Sequence, residues 1–174
     1  MFHIGDMVLY GTDGVCTITG IDEKDMEGDL IEYWILKPVY DEKSTLFVPR
    51  NNKTVLSKMR SVMSSEEIYE LVHGIPQEDT IWIDDENERK QVYQNIIREG
   101  DRKKLVQLIK TLWLRKRSRQ SAGRKLHQCD EVFLKQAEKL LHDEFAAVLH
   151  ISPDEVAEFI TQQIVPSIKK TDRI

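Results

Sequence analysis

Cysteine, glycine and long apolar runs are scarce in this chain of 174 residues, and each scarcity removes a class of function. The two cysteines, Cys16 and Cys129, stand far apart and form no Cys-x-x-Cys. They are expected as reduced, buried small hydrophobes, not as a redox pair. The eight glycines fall at turns, and neither Gly-x-x-x-x-Gly-Lys nor Gly-x-Gly-x-x-Gly occurs, so no phosphate-cradling loop of a nucleotide enzyme is expected. His3, His73, His127, His142 and His150 make no His-x-His or His-Glu-x-x-His, and His127-Gln128-Cys129 alone is a weak metal signal. Gly-x-Ser-x-Gly is missing too, and the acidic runs Asp22–Asp29 and Asp84–Glu88 suit solvated loops better than paired catalytic carboxylates. The expectation is no enzyme, no cofactor and no metal. No run approaches the roughly eighteen apolar residues of a membrane span. The opening MFHIGDMVLYGTDGV has neither a basic region nor a continuous apolar stretch, so no signal peptide and a cytoplasmic setting are expected.

What is present divides near residue 60. Ahead of it come short runs rich in Val, Ile, Thr, Tyr and Trp: Met7–Tyr10, Val15–Ile21, Glu32–Val39 and Ser44–Pro49. Turn-forming stretches separate them at Gly11–Gly14, Met26–Asp29 and Tyr40–Lys43. With a fifth strand around Thr54–Leu56, residues 1–57 would make a small SH3-like or Tudor-like antiparallel β-barrel. Trp34, alternating within its strand, belongs to the barrel core.

Beyond residue 60 the apolar period becomes helical. Ser64–Glu67 is a capping box for a helix carrying Ile68, Leu71 and Val72 and ending at Gly74. Asp84 or Asp85 caps a second helix bearing Val92, Ile96 and Ile97, and Asp101 caps a third with a Leu105, Leu108, Ile109, Leu112 stripe. Trp113, beside that stripe, is placed in the bundle core. Ser121 is taken to open a long fourth helix with Phe133, Ala137, Leu140, Leu141, Phe145 and Val148 at helical spacing, and Ser152–Glu155 starts a fifth. The whole is an α+β chain: a barrel, a compact all-α domain over 61–164, and a flexible tail over 165–174.

Charge sharpens the division. The chain carries a formal −5, yet residues 100–125 hold ten basic side chains and one acidic, a local net of +9. Leu114–Leu126, LRKRSRQSAGRKL, packs six Arg or Lys into thirteen residues. Helices in water usually interleave signs to gain i,i+4 pairs, and this one does not. Lys103, Lys110 and Arg117 recur every seven residues along one stripe beside the apolar face. Ser121, with small Ala122 and Gly123 behind it, is positioned as an N-cap whose free amides would meet a phosphate, with Arg124 and Lys125 adding full charge. Such a surface fits a sugar-phosphate backbone and reads little sequence. The bland reading is a solvated face paired with acids of the same domain, such as Asp130 and Glu131. Trp82, ahead of the second helix, has two readings: a ring packed between the helices and their lead-in loop, or an apolar wedge against a distorted duplex.

Several stretches in order resemble the CarD family of bacterial RNA polymerase regulators. They are IGDMVLYGTDGV, Glu32–Lys37, Val48-Pro49 followed by Asn51, Arg98–Asp101, Leu105–Trp113 and Ser121–Lys125. The resemblance implies a barrel that docks on the β subunit of RNA polymerase through Leu46, Phe47, Val48 and Pro49, with Lys24 on the neighbouring turn. It implies a helical domain that contacts promoter DNA and favours the open complex. Docking would raise the local concentration of a weakly selective DNA surface. The DNA set then comprises Arg89, Lys103, Lys110, Arg117, Arg119, Ser121, Gly123, Arg124 and Lys125, with Trp82 as the wedge if a short insertion is allowed for. Counting back without gaps from Arg98–Asp101 puts Glu86, not Trp82, where the family has its wedge. Phe47 stands where well-known members carry a basic residue. The expected state is a monomer, with strand exchange between two copies as the alternative, associated with the nucleoid through polymerase. The competing function is an adaptor that docks on polymerase or a helicase without binding DNA.

Overall fold

Alternating strand chemistry builds the first half into one antiparallel sheet of five strands, in the order β4-β3-β2-β1-β5. These are β1 (Met7–Tyr10), β2 (Gly14–Met26), β3 (Asp29–Pro38), β4 (Leu46–Pro49) and β5 (Met59–Ser61). The computed structural model describes residues 2–26 and 29–171. A single 3-10 turn, Gly11–Asp13, joins β1 to β2, and Gly11 and Gly14 take positive φ of 50° and 79° there, a region closed to most side chains. Residues facing inward form the core of this half: Val8, Cys16, Ile18, Trp34, Leu36, Val48 and Met59. No pairing of β4 with β5 closes the sheet into a ring among the described residues.

Three expectations for this half change. Thr54–Leu56 is not a strand: Lys53–Leu56 forms a short helix, α1, because the Asn52 side chain accepts from the Val55 amide as an N-cap. The fifth strand comes slightly later, at Met59–Ser61, where it pairs with β1. The acidic run Asp22–Asp29 is not a loop either. Asp22 through Met26 continue β2 against β3, with Lys24 opposite Ile31, so Lys24 lies on a strand and not on a turn. An exposed two-stranded extension tolerates charge on its solvent side, which hid it from a reading based on apolar alternation. Of the turn expected at Met26–Asp29, residues 27 and 28 lie outside the described residues.

The second half is helical: α2 (Ser65–Gly74), α3 (Glu86–Glu99), α4 (Arg102–Ser121), α5 (Gln128–Leu149) and α6 (Val156–Thr171). Its starts follow the caps read in sequence. Ser64 and Glu67 form the reciprocal capping box, Asp85 caps α3 and Asp101 caps α4, each side chain accepting a backbone N–H. Gly100 ends α3 in the left-handed conformation. One core packs α3, α4 and α5 through Tyr93, Ile96, Ile97, Leu105, Leu108, Leu112, Leu134 and Ala137. A second joins α2, α5 and α6 through Ile68, Val72, Leu141, Phe145 and Val156. The chain divides into two compact units, Met1–Val62 and Met63–Ile174. The expected tail over 165–174 falls in part on α6, whose backbone runs to Thr171; residues 172–174 lie outside the described residues.

Two helical expectations fail. Trp113 is half exposed, because it sits about 100° around α4 from the buried Leu112 and so points off the packed face. Ser121 does not open a helix but ends one. Its hydroxyl donates back to the carbonyls of Arg117 and Ser118. The Arg124 amide reaches the Arg119 carbonyl and the Gly123 amide reaches Gln120, with Gly123 at φ 70°. That is the Schellman closure of a helix C-terminus, and α5 begins only at Gln128.

Candidate functional site

In the sheet, β4 is an edge strand paired on one side only, to β3. Its four residues are those expected to dock, and alternation divides them. Val48 is fully buried in the core and Phe47 points outward, 43% exposed, while Leu46 and Pro49 are half-buried. Val48 therefore supports the strand from beneath and offers no side chain to a partner. Opposite the core, Lys24 reaches across β3: its Nζ lies 3.9 Å from the Phe47 ring centroid and 5.9 Å from that of Tyr33. The result is an apolar surface with one ammonium over it, beside an unpaired strand edge. An edge of that kind can add a strand from another chain. On the inner side, the Arg50 guanidinium lies 4.5 Å from the Trp34 ring centroid and bonds Glu32 at 2.6 Å. Burial, with Asp13 adding, pushes the Cys16 thiol up to about 11, so it stays protonated and inert.

The basic residues of the helical half have several fates. Arg89 is 4% exposed and cannot be a phosphate contact from that position. Its Nε donates to Asp130 at 3.0 Å, and one terminal nitrogen donates to the carbonyls of Ile83 and Asp84. Burial pulls its pKa down, but the hydrogen bond and charge of Asp130 outweigh that and hold it above the ordinary value. Lys110 is likewise committed. Its Nζ donates to the carbonyls of Ile75, Pro76 and Glu78 at 3.1, 2.8 and 2.6 Å, in and just after the 3-10 turn Ile75–Gln77 that follows α2. Lys103 pairs with Glu78 at 3.6 Å, Lys104 with Glu99 at 2.9 Å, Arg102 with buried Glu144 at 2.7 Å and Lys116 with Glu131 at 3.6 Å. The seven-residue stripe Lys103–Lys110–Arg117 is thus no continuous ridge, because two of its three members face acceptors of the same unit.

What remains lies at the end of α4 and in the turn after it. Arg115, Arg117, Arg119, Arg124 and Lys125 make no ion pair with a carboxylate among the described residues. Arg117, Arg124 and Lys125 are exposed, while Arg119 donates its Nε to the Lys125 carbonyl at 2.6 Å. Ser121 and Gly123 hold this segment by closing the helix, not by offering amides to an anion. Of the two carboxylates suggested as partners, Asp130 is spent on Arg89, while Glu131 pairs with Lys116 of the basic block, as the solvated-face reading expects.

Trp82 is a packed ring. It lies against the core of α3, α4 and α5, and its Nε1 donates to Asp84 at 2.8 Å. The guanidinium carbons of Arg89 and Arg115 stand 4.5 and 3.8 Å from its centroid. Those contacts were not legible in sequence, since residues 82, 89 and 115 come from three separate segments. Arg115, inside the basic block, was the residue that reading by sevens passed over.

Two family models match the chain. Residues 2–62 match the CarD-like/TRCF RID domain and residues 67–161 match the CarD C-terminal domain. The first covers the sheet carrying the β4 edge, and the second covers the helices carrying the unpaired cations. By these matches the chain belongs to the CarD-like family, whose non-enzymatic domains point to transcription regulation through interaction with RNA polymerase.

Proposed function

We propose that the protein docks on the β subunit of RNA polymerase through the β4 edge and contacts promoter DNA through the end of α4, stabilising the open complex. Phe47 and the Lys24 ammonium are the docking contacts, with Leu46 and Pro49 flanking them. Arg117, Arg124 and Lys125 are the phosphate contacts. The observation that carries the DNA part is that these three exposed cations have no carboxylate partner among the described residues, while Arg89, Lys90, Arg102, Lys103, Lys104, Lys116 and Lys139 each have one. Like charges left unpaired repel one another, and phosphates would offset that cost. No ordered set of Asn or Gln accompanies them, so the surface supplies affinity, and polymerase docking supplies the location.

The test is duplex binding by Arg117→Glu/Arg124→Glu/Lys125→Glu across a salt series. Each phosphate contact contributes about 0.9 to the slope of log affinity against log salt, so the variant should lose roughly two to three units of slope. An unchanged slope and an unchanged promoter-complex lifetime would remove the DNA role and leave a polymerase-bound adaptor. Phe47→Glu should independently weaken capture of the β subunit.

A further inference from the structure

A cavity of about 240 Å3 opens in the helical unit where the lead-in to α3, the last turns of α4 and the start of α5 meet. Its floor is the Arg89–Asp130 pair, with side chains only 5% and 1% exposed. One wall is the Trp82 indole, and Arg115, Arg119 and His127 reach it from α4 and from the turn ahead of α5.

The acceptors around this cavity are already engaged. Asp130 serves Arg89, Asp84 takes the Trp82 Nε1–H, and Glu86 is held by Lys90 at 2.6 Å. The donors are not. Among the described residues, Arg115 rests against the indole and pairs with no carboxylate, and Arg119 commits its Nε alone. Arg115 and Arg119 are four residues apart, so they are neighbours on one face of α4. Both guanidinium groups and the indole line this one cavity, and the carboxylates that share it, Asp84, Glu86 and Asp130, already have donors of their own. A guanidinium matches phosphate oxygens in two-point geometry, which a lysine would not do.

We propose that this cavity seats one phosphate group, bound between Arg115 and Arg119 with the Trp82 indole behind Arg115. It is a site apart from the exposed Arg117, Arg124 and Lys125. It rests on the DNA-contact reading only for one of its two sources, a backbone phosphodiester; the other is the phosphate of a small phosphorylated ligand.

Trp82 is the reporter. In the 15N-labelled full chain its indole N–H signal, assigned by comparison with Trp82→Phe, is followed during titration with inorganic pyrophosphate at constant ionic strength. A saturable shift is expected. Arg115→Gln/Arg119→Gln should weaken it about tenfold or more, in keeping with loss of two charge-assisted contacts, while Arg124→Glu/Lys125→Glu should leave it in place. No saturable shift, or equal affinity in the Arg115/Arg119 variant, would overturn the proposal. Parallel titrations with a mononucleotide and with a short duplex identify the source. A duplex that moves the same signal and competes with pyrophosphate supports the backbone source, and a response to the mononucleotide without one to the duplex supports a free ligand. If Arg117→Glu/Arg124→Glu/Lys125→Glu binds DNA normally yet pyrophosphate still shifts Trp82, the DNA reading fails and the phosphate site stands.

Discussion

The two ends of α4 carry similar charge and have different fates. At its start, Arg102, Lys103 and Lys104 pair with Glu144, Glu78 and Glu99, and Lys110 holds the turn that follows α2. At its far end and just beyond, Arg115, Arg117, Arg119, Arg124 and Lys125 find no carboxylate among the described residues. The first group is part of the fold; the second is available to something else. A local charge of +9 is therefore an upper limit on a binding surface, because neighbouring elements neutralise whatever they can reach.

The comparison breaks most sharply at the buried end of the network. Asp130→Ala leaves the Arg89 guanidinium buried without its counter-charge, and removing one partner of such a pair costs about 3–5 kcal/mol. Thermal or urea unfolding should show that loss; a loss no greater than at exposed sites would mean Arg89 is not held as described. Lys110→Met comes next. Three carbonyls lose the ammonium, although Ile75 keeps the Glu78 amide, for an expected cost of about 1–3 kcal/mol, again read by urea unfolding.

His142 supplies a pH-dependent effect of smaller size. Burial lowers its pKa from the ordinary 6.5, and Asp143 only partly opposes that. The unfolded chain therefore binds this proton more readily than the folded one. Stability from this group is intact above pH 6.5 and declines as pH falls through and below it. His142→Gln should flatten that part of the stability profile, and an unaltered slope would assign it to other groups. The smallest expected effect belongs to the far end of α4. Arg117→Glu/Arg124→Glu/Lys125→Glu should change stability by no more than about 0.5 kcal/mol per site, although the same variant is expected to have the largest effect on DNA binding. Substantial destabilisation would place these cations with the structural group.

Much of the architecture was legible because it is local. Ser64, Asp101 and Ser152 announce helix starts through side chains that bond amides two or three residues away, and β1 and β4 follow from strand chemistry between turns. The misreadings share a cause. Ser121 looks like an N-cap next to Ala-Gly-Arg, but Gly123 just past a helix is equally a stop, and the choice depends on whether the preceding helix reaches it. Asn52 similarly makes a helix of a stretch with β-favouring Thr54 and Val55. Trp113 fell on the solvent side because one residue along a helix is a large rotation.

By itself the sequence determined the two-part division, the capped helices, the apolar stripes and the concentration of positive charge, since all of these act over a few residues of chain. Only the tertiary structure decided which cations remain unpaired, where the β4 edge lies and how Trp82 meets Arg89 and Arg115. Ion pairs and ring contacts form between groups close in space, and residues 89 and 130, or 82 and 115, become neighbours only once the helices pack.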